Sequence, residues 1–444
     1  MSGGPGSPGA PATRWTTPRR LRLYLAAAWI AAAALFAVSL RALNDDRAAL
    51  RVMREDTAPS IIKAQDLGAQ LADLDAQLAA SLLGNVADRD VASELFELRR
   101  SAVARCLVDA ANNITLGDAD RIPVVVMNEE LGRYLELASR AQSLYASGDR
   151  DGAVGLMRIA TDAMHDRILP QAGSLDRVKR EQMDRRYDAA QRASRGYENG
   201  ALSGGVLVAA VLLVTQVFVR RRMRRRLSPG LVLALALSVA FTWTLVTRFR
   251  VAREDLRVAR DDAFNSIHLL WRARALAYDA RGEQARWLLD RSRAGSYETG
   301  FALKSAELLS DTKVSPRDAS GLLVDVLRNV TFVGEADAAM VAVRAFVDFV
   351  QLDDTLRTTE RQGRHADAVE LAIGTQPNQA RAAFDRFDAA IQRTTAINKD
   401  AFDAVLVLAD GGLRRAEWLD PAFALAIALA AWLGIRPRLR EYSS

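Results

Sequence analysis

The chain has few of the side chains that build metal centres, disulfides and catalytic sites. Its 444 residues include one cysteine, three histidines and 7% aromatic residues. One cysteine excludes a disulfide framework and a thiolate zinc site, because both require several cysteines. The histidines, at positions 165, 268 and 365, are far apart, which argues against a histidine-rich metal centre. Because a nucleophile elbow, a phosphate-binding loop and a His-Glu-x-x-His motif are also missing, we predict no catalytic site, no metal, no cofactor and no enzymatic activity.

Charged residues are missing from four stretches, at residues 23–40, 201–219, 230–247 and 421–435. The first three contain 18, 19 and 18 residues, which is close to what a helix needs to cross a hydrocarbon core of about 30 Å. The fourth contains 15 residues, and Trp418 and Leu419 lengthen it. The first stretch is long for a secretory signal, and no small-residue cleavage site follows it. We therefore predict four transmembrane helices, the first of which is a retained anchor.

Arginines without neighbouring acids mark the short flanks of these stretches. Residues 1–22 carry four arginines and no acid, and the tail 436–444 carries three arginines and one glutamate. The loop 220–229 has six arginines and no acid: Arg220, Arg221, Arg222, Arg224, Arg225 and Arg226. Since arginine resists translocation, we expect both termini and this loop on the cytoplasmic side of the plasma membrane. The loop is a topology signal or, alternatively, contacts anionic lipid or a partner.

The overall charge of +6 and the pI of about 9.6 would suggest nucleic acid as a partner. The predicted topology divides this charge unevenly between compartments. The cytoplasmic pieces hold thirteen arginines and one acidic residue, which leaves a net charge of −6 on the rest of the chain. Because the positive charge lies in short membrane flanks, we predict that the protein does not bind nucleic acid.

The two long segments between the spans repeat one another in chain order. Residues 51–56 return at 257–262, at an offset of 206. Residues 113–120 return at 329–337 with one insertion, and residues 148–154 return at 363–369. Slowly drifting offsets are typical of a duplication followed by small insertions. We predict two copies of a module composed of a span, an outer domain and a second span.

The predicted order along the chain follows from the spans and the repeat. It is a cytoplasmic tail (1–22), first span (23–43), first outer bundle (44–199), second span (200–219), arginine loop (220–229), third span (230–247), second outer bundle (248–416), fourth span (417–435) and cytoplasmic tail (436–444).

The outer segments have the periodicity of helices. Leu67, Leu71, Leu74, Leu78 and Leu82 fall on one helical face. Breaks at residues 84–90, 117–120 and 147–149 divide the first segment into four helices, and breaks near 295, 314–316, 334–337 and 363 divide the second. Pro170 should kink the last helix of the first segment or mark a boundary in it. We predict an all-α membrane protein with four transmembrane helices and two duplicated extracytoplasmic helical bundles, each similar to a four-helix-bundle sensor.

Several residues of the outer segments have two interpretations. His165 could sense pH, but a structural or solvated role is favoured. Trp271, Trp287 and Tyr278 could contact a ligand, but core packing is favoured. Arg272, Arg274, Arg281 and Arg286 could meet an acidic ligand or form solvated pairs with Asp279, Glu283 and Asp290. The ligand-binding residues stay unassigned.

Adjacent carboxylates and the single thiol also have a functional and a structural interpretation. The pairs Asp45-Asp46, Asp261-Asp262 and Asp353-Asp354 could form carboxylate sites. Neighbouring side chains point about 100° apart on a helix, so we expect solvated faces instead. Cys106 should pack as a small apolar residue, and pairing across a dimer is the alternative.

The layout of residues 44–199 and 248–416 resembles the extracytoplasmic four-helix-bundle sensor domains of bacterial chemoreceptors and histidine kinases. The nearest local likeness is Leu169-Pro170 with Leu175-Asp176-Arg177-Val178 in the last helix of the first copy. The chain departs from those proteins because neither copy is followed by a kinase, cyclase or methyl-accepting domain. In the order of its spans and outer helical regions, and in its Ala- and Arg-rich composition, the chain resembles the GlnX-type membrane signalling proteins of actinobacteria. That resemblance implies an extracytoplasmic lipoprotein that binds aspartate or glutamate, and a cytoplasmic Ser/Thr protein kinase, as partners.

We expect a non-enzymatic transmembrane sensor that passes an external nutrient signal, such as an amino acid, or a binding-protein signal to a cytoplasmic partner. Membrane lipids and further copies of the chain, as a homo-oligomer, are the other expected partners. A scaffold that tethers envelope proteins is one alternative, and a transporter component is another. The charge-free stretches argue against a transporter, because residues 23–40, 201–219, 230–247 and 421–435 contain no Asp, Glu, Lys, Arg or His.

Overall fold

A computed structural model describes residues 17–52, 58–83, 86–114, 116–223, 228–311 and 319–440. Within these ranges all regular secondary structure is helical and no strand occurs, which confirms the all-α prediction. The α-helices are α1 (Thr17–Val52), α2 (Ala58–Ser81), α3 (Val86–Asn112), α4 (Asp118–Ser147), α5 (Arg150–Ala163), α6 (Leu169–Met223), α7 (Pro229–Arg257), α8 (Asn265–Leu289), α9 (Ala294–Leu308), α10 (Leu322–Arg328), α11 (Glu335–Arg361), α12 (His365–Ile373) and α13 (Ala380–Arg440). Two π turns, Met164–Ile168 and Val258–Phe264, precede α6 and α8, and a 3₁₀ turn, Arg291–Arg293, precedes α9.

The helix break at residues 147–149 has a local cause in the sequence. Gly148 ends α4 with a φ of 94°, a left-handed conformation that favours glycine. Asp149 then starts α5, because its carboxylate accepts a hydrogen bond from the Gly152 amide at 2.9 Å. The predicted breaks at 117–120 and 147–149 are therefore confirmed.

Other boundaries differ from the prediction. The first helix of the second segment ends at Leu289, and Gly295 lies inside α9 instead of at a break. The reason is Asp290, whose carboxylate accepts the Ser292 amide at 3.1 Å and caps the short turn before α9. At Pro170, by contrast, the predicted boundary is present, because the π turn Met164–Ile168 ends and α6 begins one residue before it. The proline provides no N–H and its ring clashes with the preceding turn, which the π turn accommodates.

The chain folds into two compact units. The span unit comprises Met1–Ala49, Asp188–Glu254 and Leu408–Ser444, and the bundle unit comprises Leu50–Tyr187 and Asp255–Val407. In the part of the chain that the structure describes, four helical stretches are long and apolar enough to cross a membrane, namely Arg19–Val52, Arg150–Arg221, Pro229–Leu289 and Ala380–Pro437. They contain the four charge-free stretches, all of which belong to the span unit. The chain therefore has the composition of a membrane protein.

Small residues let helices of the span unit approach closely. A Cβ atom added to Gly230 on α7 would lie 2.5 Å from the nitrogen of Gly434 on α13, so the two backbones are in direct contact. Ser228 donates a hydrogen bond to the Gly434 carbonyl at 3.0 Å. At another level of the unit, the Arg248 guanidinium pairs with the Asp420 carboxylate at 2.5 Å, and Ser39 donates to the same carboxylate. These side chains connect α1, α7 and α13.

The bundle unit is built around the predicted leucine face. Leu67, Leu71, Leu74 and Leu78 are fully buried and Leu82 nearly so, which confirms that this side of α2 faces the core. Residues of the second segment, including Trp287 and Leu356, belong to the same hydrophobic cluster as this leucine face. Helix α2 packs against α3 on one side and against α8 on another. The two outer segments thus form one compact unit, in which α2 and α8 pack together.

Candidate functional site

Buried charges are concentrated where α2 and α8 pack together. Asp73 and Asp75 on α2, and Arg274, Glu283 and Arg286 on α8, are all buried. Charged groups in such surroundings need partners, because an isolated ion loses its hydration without compensation. We call this region the α2–α8 interface.

Arg286 is the centre of an ion network in this interface. Its Nη1 atom lies 2.7 Å from Oδ2 of Asp75, and its Nη2 atom lies 3.3 Å from Glu283 and 3.5 Å from Asp279. Gly282 leaves room for the guanidinium, since an added Cβ would lie 2.9 Å from Nη1. Lys304 of α9 supplies a second cation, 2.9 Å from Asp279.

The predicted solvated face of α8 is wrong for Arg274 and Arg286, which are 6% and 1% exposed. Every residue of α8 from Gly282 to Leu288 is buried. Helix α8 packs against α2 and α9, and Gln284 and Trp287 of this stretch contact Asp353 and Arg357 of α11, so the stretch is covered by neighbouring helices. The favoured interpretation holds for Tyr278 and Trp287, which are buried in the core.

His165 connects the first segment to the same network. Its Nε2 atom lies 3.3 Å from Asp279 Oδ1 and 3.6 Å from Asp75 Oδ2. Burial lowers the pKa of His165, but the two carboxylates outweigh burial and hold the pKa above its ordinary value. Burial raises the pKa of Asp75, and Arg286 with His165 and Thr161 outweighs it, so that the pKa lies below the ordinary value.

The charge of the network depends on His165. Three carboxylates (Asp75, Asp279 and Glu283) face two permanent cations (Arg286 and Lys304). A protonated His165 makes the network neutral, whereas a neutral His165 leaves one negative charge in excess. His165 therefore has a structural role as a member of the network, and its protonation also changes the net charge of the network, as the pH-sensor interpretation requires.

A groove lies beside this network, between α2, α6 and α8. It has a volume of about 390 Å³ and is lined by Ala64, Gln65, Gly68, Leu169, Ala172, Gly173, Asp176, Arg180, His268, Trp271, Arg272 and Ala275. Two smaller depressions continue it, one sharing Arg180 and His268 and the other sharing Leu169, Arg272 and Ala275. A volume of this order is typical of small-molecule sites.

Gln65 is central to the hydrogen bonds of this groove. Its amide nitrogen donates to Asp176 Oδ1 at 3.0 Å and lies 2.7 Å from His268 Nδ1. Arg180 pairs with Asp176 at 3.1 Å, and Arg272 pairs with Glu307 at 2.6 Å. Burial, followed by Arg180 and Arg272, lowers the pKa of His268, and Asp176 only partly opposes this. Trp271 is the one residue of the predicted aromatic set that lines the groove.

The remaining predicted residues lie elsewhere. Arg220 and Arg221 lie at the end of α6, the side chain of Arg222 is outside the described part, and Arg224, Arg225 and Arg226 lie outside the described residues.

The solvated face expected for the acidic pairs is wrong for Asp353, whose side chain is buried. Its Oδ2 atom accepts from Nε of Arg357 at 2.6 Å, and its Oδ1 atom accepts from Nε2 of Gln284 at 2.9 Å. Cys106 is half-buried, and burial together with Asp66 raises the pKa of its thiol to about 12. Such a thiol is a poor nucleophile at neutral pH.

Gln65, Asp176 and Arg180 were not recognisable as a site in the sequence. Each is an isolated polar residue at ordinary helical spacing, and more than a hundred residues separate Gln65 from Asp176. Only the packing of α2, α6 and α8 brings them together. Among the described residues, no group of three or more His, Cys, Asp or Glu side chains is placed to hold a metal ion.

Comparison with known protein families gives a match within the first outer segment. Residues 49–188 match the sequence model of a family described as the actinobacterial sensor domain, which covers less than half of the chain. No curated protein and no solved structure matches the chain. The matched segment contains Gln65, Asp75, His165 and Asp176, and so includes one side of both the network and the groove. This similarity indicates a sensor or signalling role.

Proposed function

We propose that the protein is a non-enzymatic transmembrane sensor of the plasma membrane, with both termini in the cytoplasm. It passes an external nutrient signal, such as an amino acid or a liganded binding protein, to a cytoplasmic partner such as a Ser/Thr protein kinase, as in GlnX-type proteins. The supporting observation is α6, which runs unbroken from Leu169 to Met223. This helix contains the end of the sensor-like segment and the whole apolar stretch 201–219.

A helix of this kind can carry a small displacement over a long distance. Helix shifts of about 1–2 Å are a common device of transmembrane and allosteric signalling. Residues 169–188 of α6 belong to the sensor-like segment and include residues that line the groove, so a change there alters the position of the helix that continues into the span. The six-arginine loop that follows, Arg220–Arg222 and Arg224–Arg226, would then contact anionic lipid or the cytoplasmic partner.

Duplication is part of the proposal. Gly117 and Gly334, matched in the repeat, have positive φ values of 67° and 81° and each precedes a long helix. Gly148 and Gly363, matched at the next break, have φ values of 94° and 81°. Two matched turns with the same unusual backbone support a common origin of the two outer segments. On this basis α2 and α8 are the equivalent first helices of the two copies.

One position in α6 offers a matched pair of variants. Gly196 is exposed, and an added Cβ meets no atom within 4 Å. The change Gly196→Pro interrupts the helix at a cost of about 3 kcal/mol, whereas Gly196→Ala favours it. We expect Gly196→Pro to abolish the change in kinase-dependent phosphorylation that follows addition of L-aspartate or L-glutamate to cells, and Gly196→Ala to retain it.

Deletion of the gene should have the same effect as Gly196→Pro. Unchanged phosphorylation in the deletion strain would contradict the kinase partner. A normal response of the Gly196→Pro protein, present at its usual level in the membrane, would contradict signalling through α6. Crosslinked partners that are the same with and without the added amino acid would favour the scaffold alternative.

A further inference from the structure

The groove between α2, α6 and α8 has unsatisfied hydrogen-bonding atoms. Gln65 is 7% exposed, and its Oε1 atom has no hydrogen-bond partner among the described residues, whereas its amide nitrogen donates to Asp176 and lies 2.7 Å from His268 Nδ1. The indole nitrogen of Trp271 is also buried without a partner in the described part. A buried polar atom left in this state costs about 1–3 kcal/mol. Because Gln65 and Trp271 both line the groove, its wall contains one unpaired acceptor and one unpaired donor.

The charges around these two atoms favour an anion. Two permanently charged side chains, Arg180 and Arg272, line the groove with a single carboxylate, Asp176. Arg272 is 56% exposed, so its pair with Glu307 is weak and its guanidinium can turn to a ligand at little cost. The lowered pKa of His268, caused by burial and then by Arg180 and Arg272, is consistent with the same excess of positive charge.

We propose that this groove binds a small carboxylate that carries a hydroxyl or amino group on the neighbouring carbon. The carboxylate would pair with Arg272 and accept from the Trp271 indole, and the hydroxyl or amino group would donate to Gln65 Oε1. Arg180 is already paired with Asp176. It therefore contributes positive electrostatic potential to the groove and holds the Asp176 side chain in place. The groove volume of about 390 Å³ accommodates a molecule of this size.

The inference rests on the proposed function, to which it adds a ligand class. The ligand touches helices from both segments: Gln65 belongs to α2, and Trp271 and Arg272 belong to α8. It also lies against α6 at Leu169, Gly173 and Asp176. Binding would thereby favour one arrangement of α6 over another, as a signalling ligand must.

The test measures binding by the purified full-length protein in lipid nanodiscs, by calorimetry. The probes are L-glutamate and L-lactate, with acetate and glycerol as controls that lack the donor or the carboxylate. We expect at least one of the two probes to bind and both controls to bind at least about tenfold more weakly, because one missing hydrogen bond to a buried group costs about that much. Absence of binding by both probes would overturn the proposal.

Matched variants separate a binding role from a structural one. Trp271→Phe removes the indole N–H from the groove. Trp287→Phe is its control, because the Trp287 indole lies outside the groove and also stacks against an arginine, with its ring centre 4.6 Å from Cζ of Arg357. Arg272→Gln has Arg328→Gln as its control, an arginine of similar exposure in another ion pair. We expect each groove variant to lose about tenfold or more in affinity and each control less than about twofold. Equal losses in groove and control variants would overturn the proposal.

His268 provides a second readout that a structural role would not change. A bound anion next to the ring favours the charged imidazole, so the apparent pKa of His268 should rise on addition of the bound probe. The pKa can be followed by NMR of the three histidines, with exposed His365 as the internal reference. A His268 titration that the probe does not alter would overturn the proposal.

Failure of this inference differs from failure of the proposed function. If neither probe binds but Gly196→Pro still abolishes signalling, only the groove proposal falls. If a probe binds and Trp271→Phe weakens binding, the groove proposal is supported, and an unchanged cellular response in Trp271→Phe would then contradict the signalling role.

Discussion

The Nη1 atom of Arg286 lies 2.7 Å from Oδ2 of Asp75, although 211 residues separate the two in the chain. Both side chains are almost completely buried, and Tyr134 also donates to the carboxylate, at 3.2 Å from its other oxygen. The pair connects the segment that matches an actinobacterial sensor domain to the segment outside the match. Any relative movement of α2 and α8 must displace this pair.

Loss of one partner of the Arg286–Asp75 ion pair should destabilise the bundle unit strongly. In Asp75→Asn the Arg286 charge stays buried without its nearest carboxylate, and we expect a loss of about 3–5 kcal/mol in the free energy of unfolding. Denaturant unfolding of the detergent-solubilised protein measures it. The control is Glu136→Gln, which breaks an exposed i,i+4 pair with Arg140 at 3.8 Å and should cost less than about 0.5 kcal/mol. Similar losses in both variants would contradict a special role of the buried pair.

The ion network should make stability depend on pH through His165. Its pKa is raised above the ordinary value of 6.5, so the stabilisation it provides is fully present below that value and is lost as pH rises through the folded-state pKa. We expect the unfolding midpoint to fall over this window, and His165→Asn to flatten the fall. The groups that face the ring are Asp75 from α2, and Asp279 and Arg286 from α8.

A second contribution, from Asp75, has the opposite dependence on pH. Its lowered pKa gives stabilisation that is present above the ordinary value of 3.8 and is lost as pH falls through the folded-state value. His165 is one of the groups that lower the Asp75 pKa, after Arg286, so His165→Asn should weaken the acid limb in part and remove the neutral limb. A flattening of the acid limb in His165→Asn, with the neutral limb intact, would contradict this assignment.

The close approach of α7 and α13 should depend on the absence of side chains at two positions. Gly230→Leu places atoms where the Gly434 backbone lies, and we expect a loss of about 1–3 kcal/mol or a separation of the helices. The melting temperature of the protein in nanodiscs measures the effect. Gly196→Leu is the matched control, because an added Cβ there meets no neighbour within 4 Å. Equal melting temperatures for Gly230→Leu and the unchanged protein would contradict the close approach.

The orientation of the chain can be tested with single cysteines. After Cys106→Ser, the changes Ser147→Cys and Ser310→Cys place a thiol at exposed positions of the bundle unit, and Arg221→Cys places one beside the arginine loop. We expect a membrane-impermeant maleimide to label the first two in intact cells and the third only after permeabilisation. Labelling of Arg221→Cys in intact cells would invert the predicted topology.

The acidic pairs show what a sequence pattern predicts about a side chain and what it does not. Asp353 and Asp354 are neighbours in the chain, and the angular argument correctly indicates that they do not face one site. It does not reveal which of them is buried. Asp353 points toward Arg357 and Gln284, whereas Asp354 is exposed, because α11 turns one side to α8. The helical period is a local property, but the direction of a partner helix is not.

The sequence by itself determined the four apolar stretches, the leucine face of α2 and the turns at Gly117 and Gly148. Each depends on hydropathy, periodicity or backbone freedom within one short segment. Only the tertiary structure decided that Arg286 is buried beside Asp75, and that Gln65, Asp176 and His268 share a groove. Those residues lie on three different helices, and their burial and partners depend on which helix faces meet, a free-energy balance that no short stretch of the chain contains.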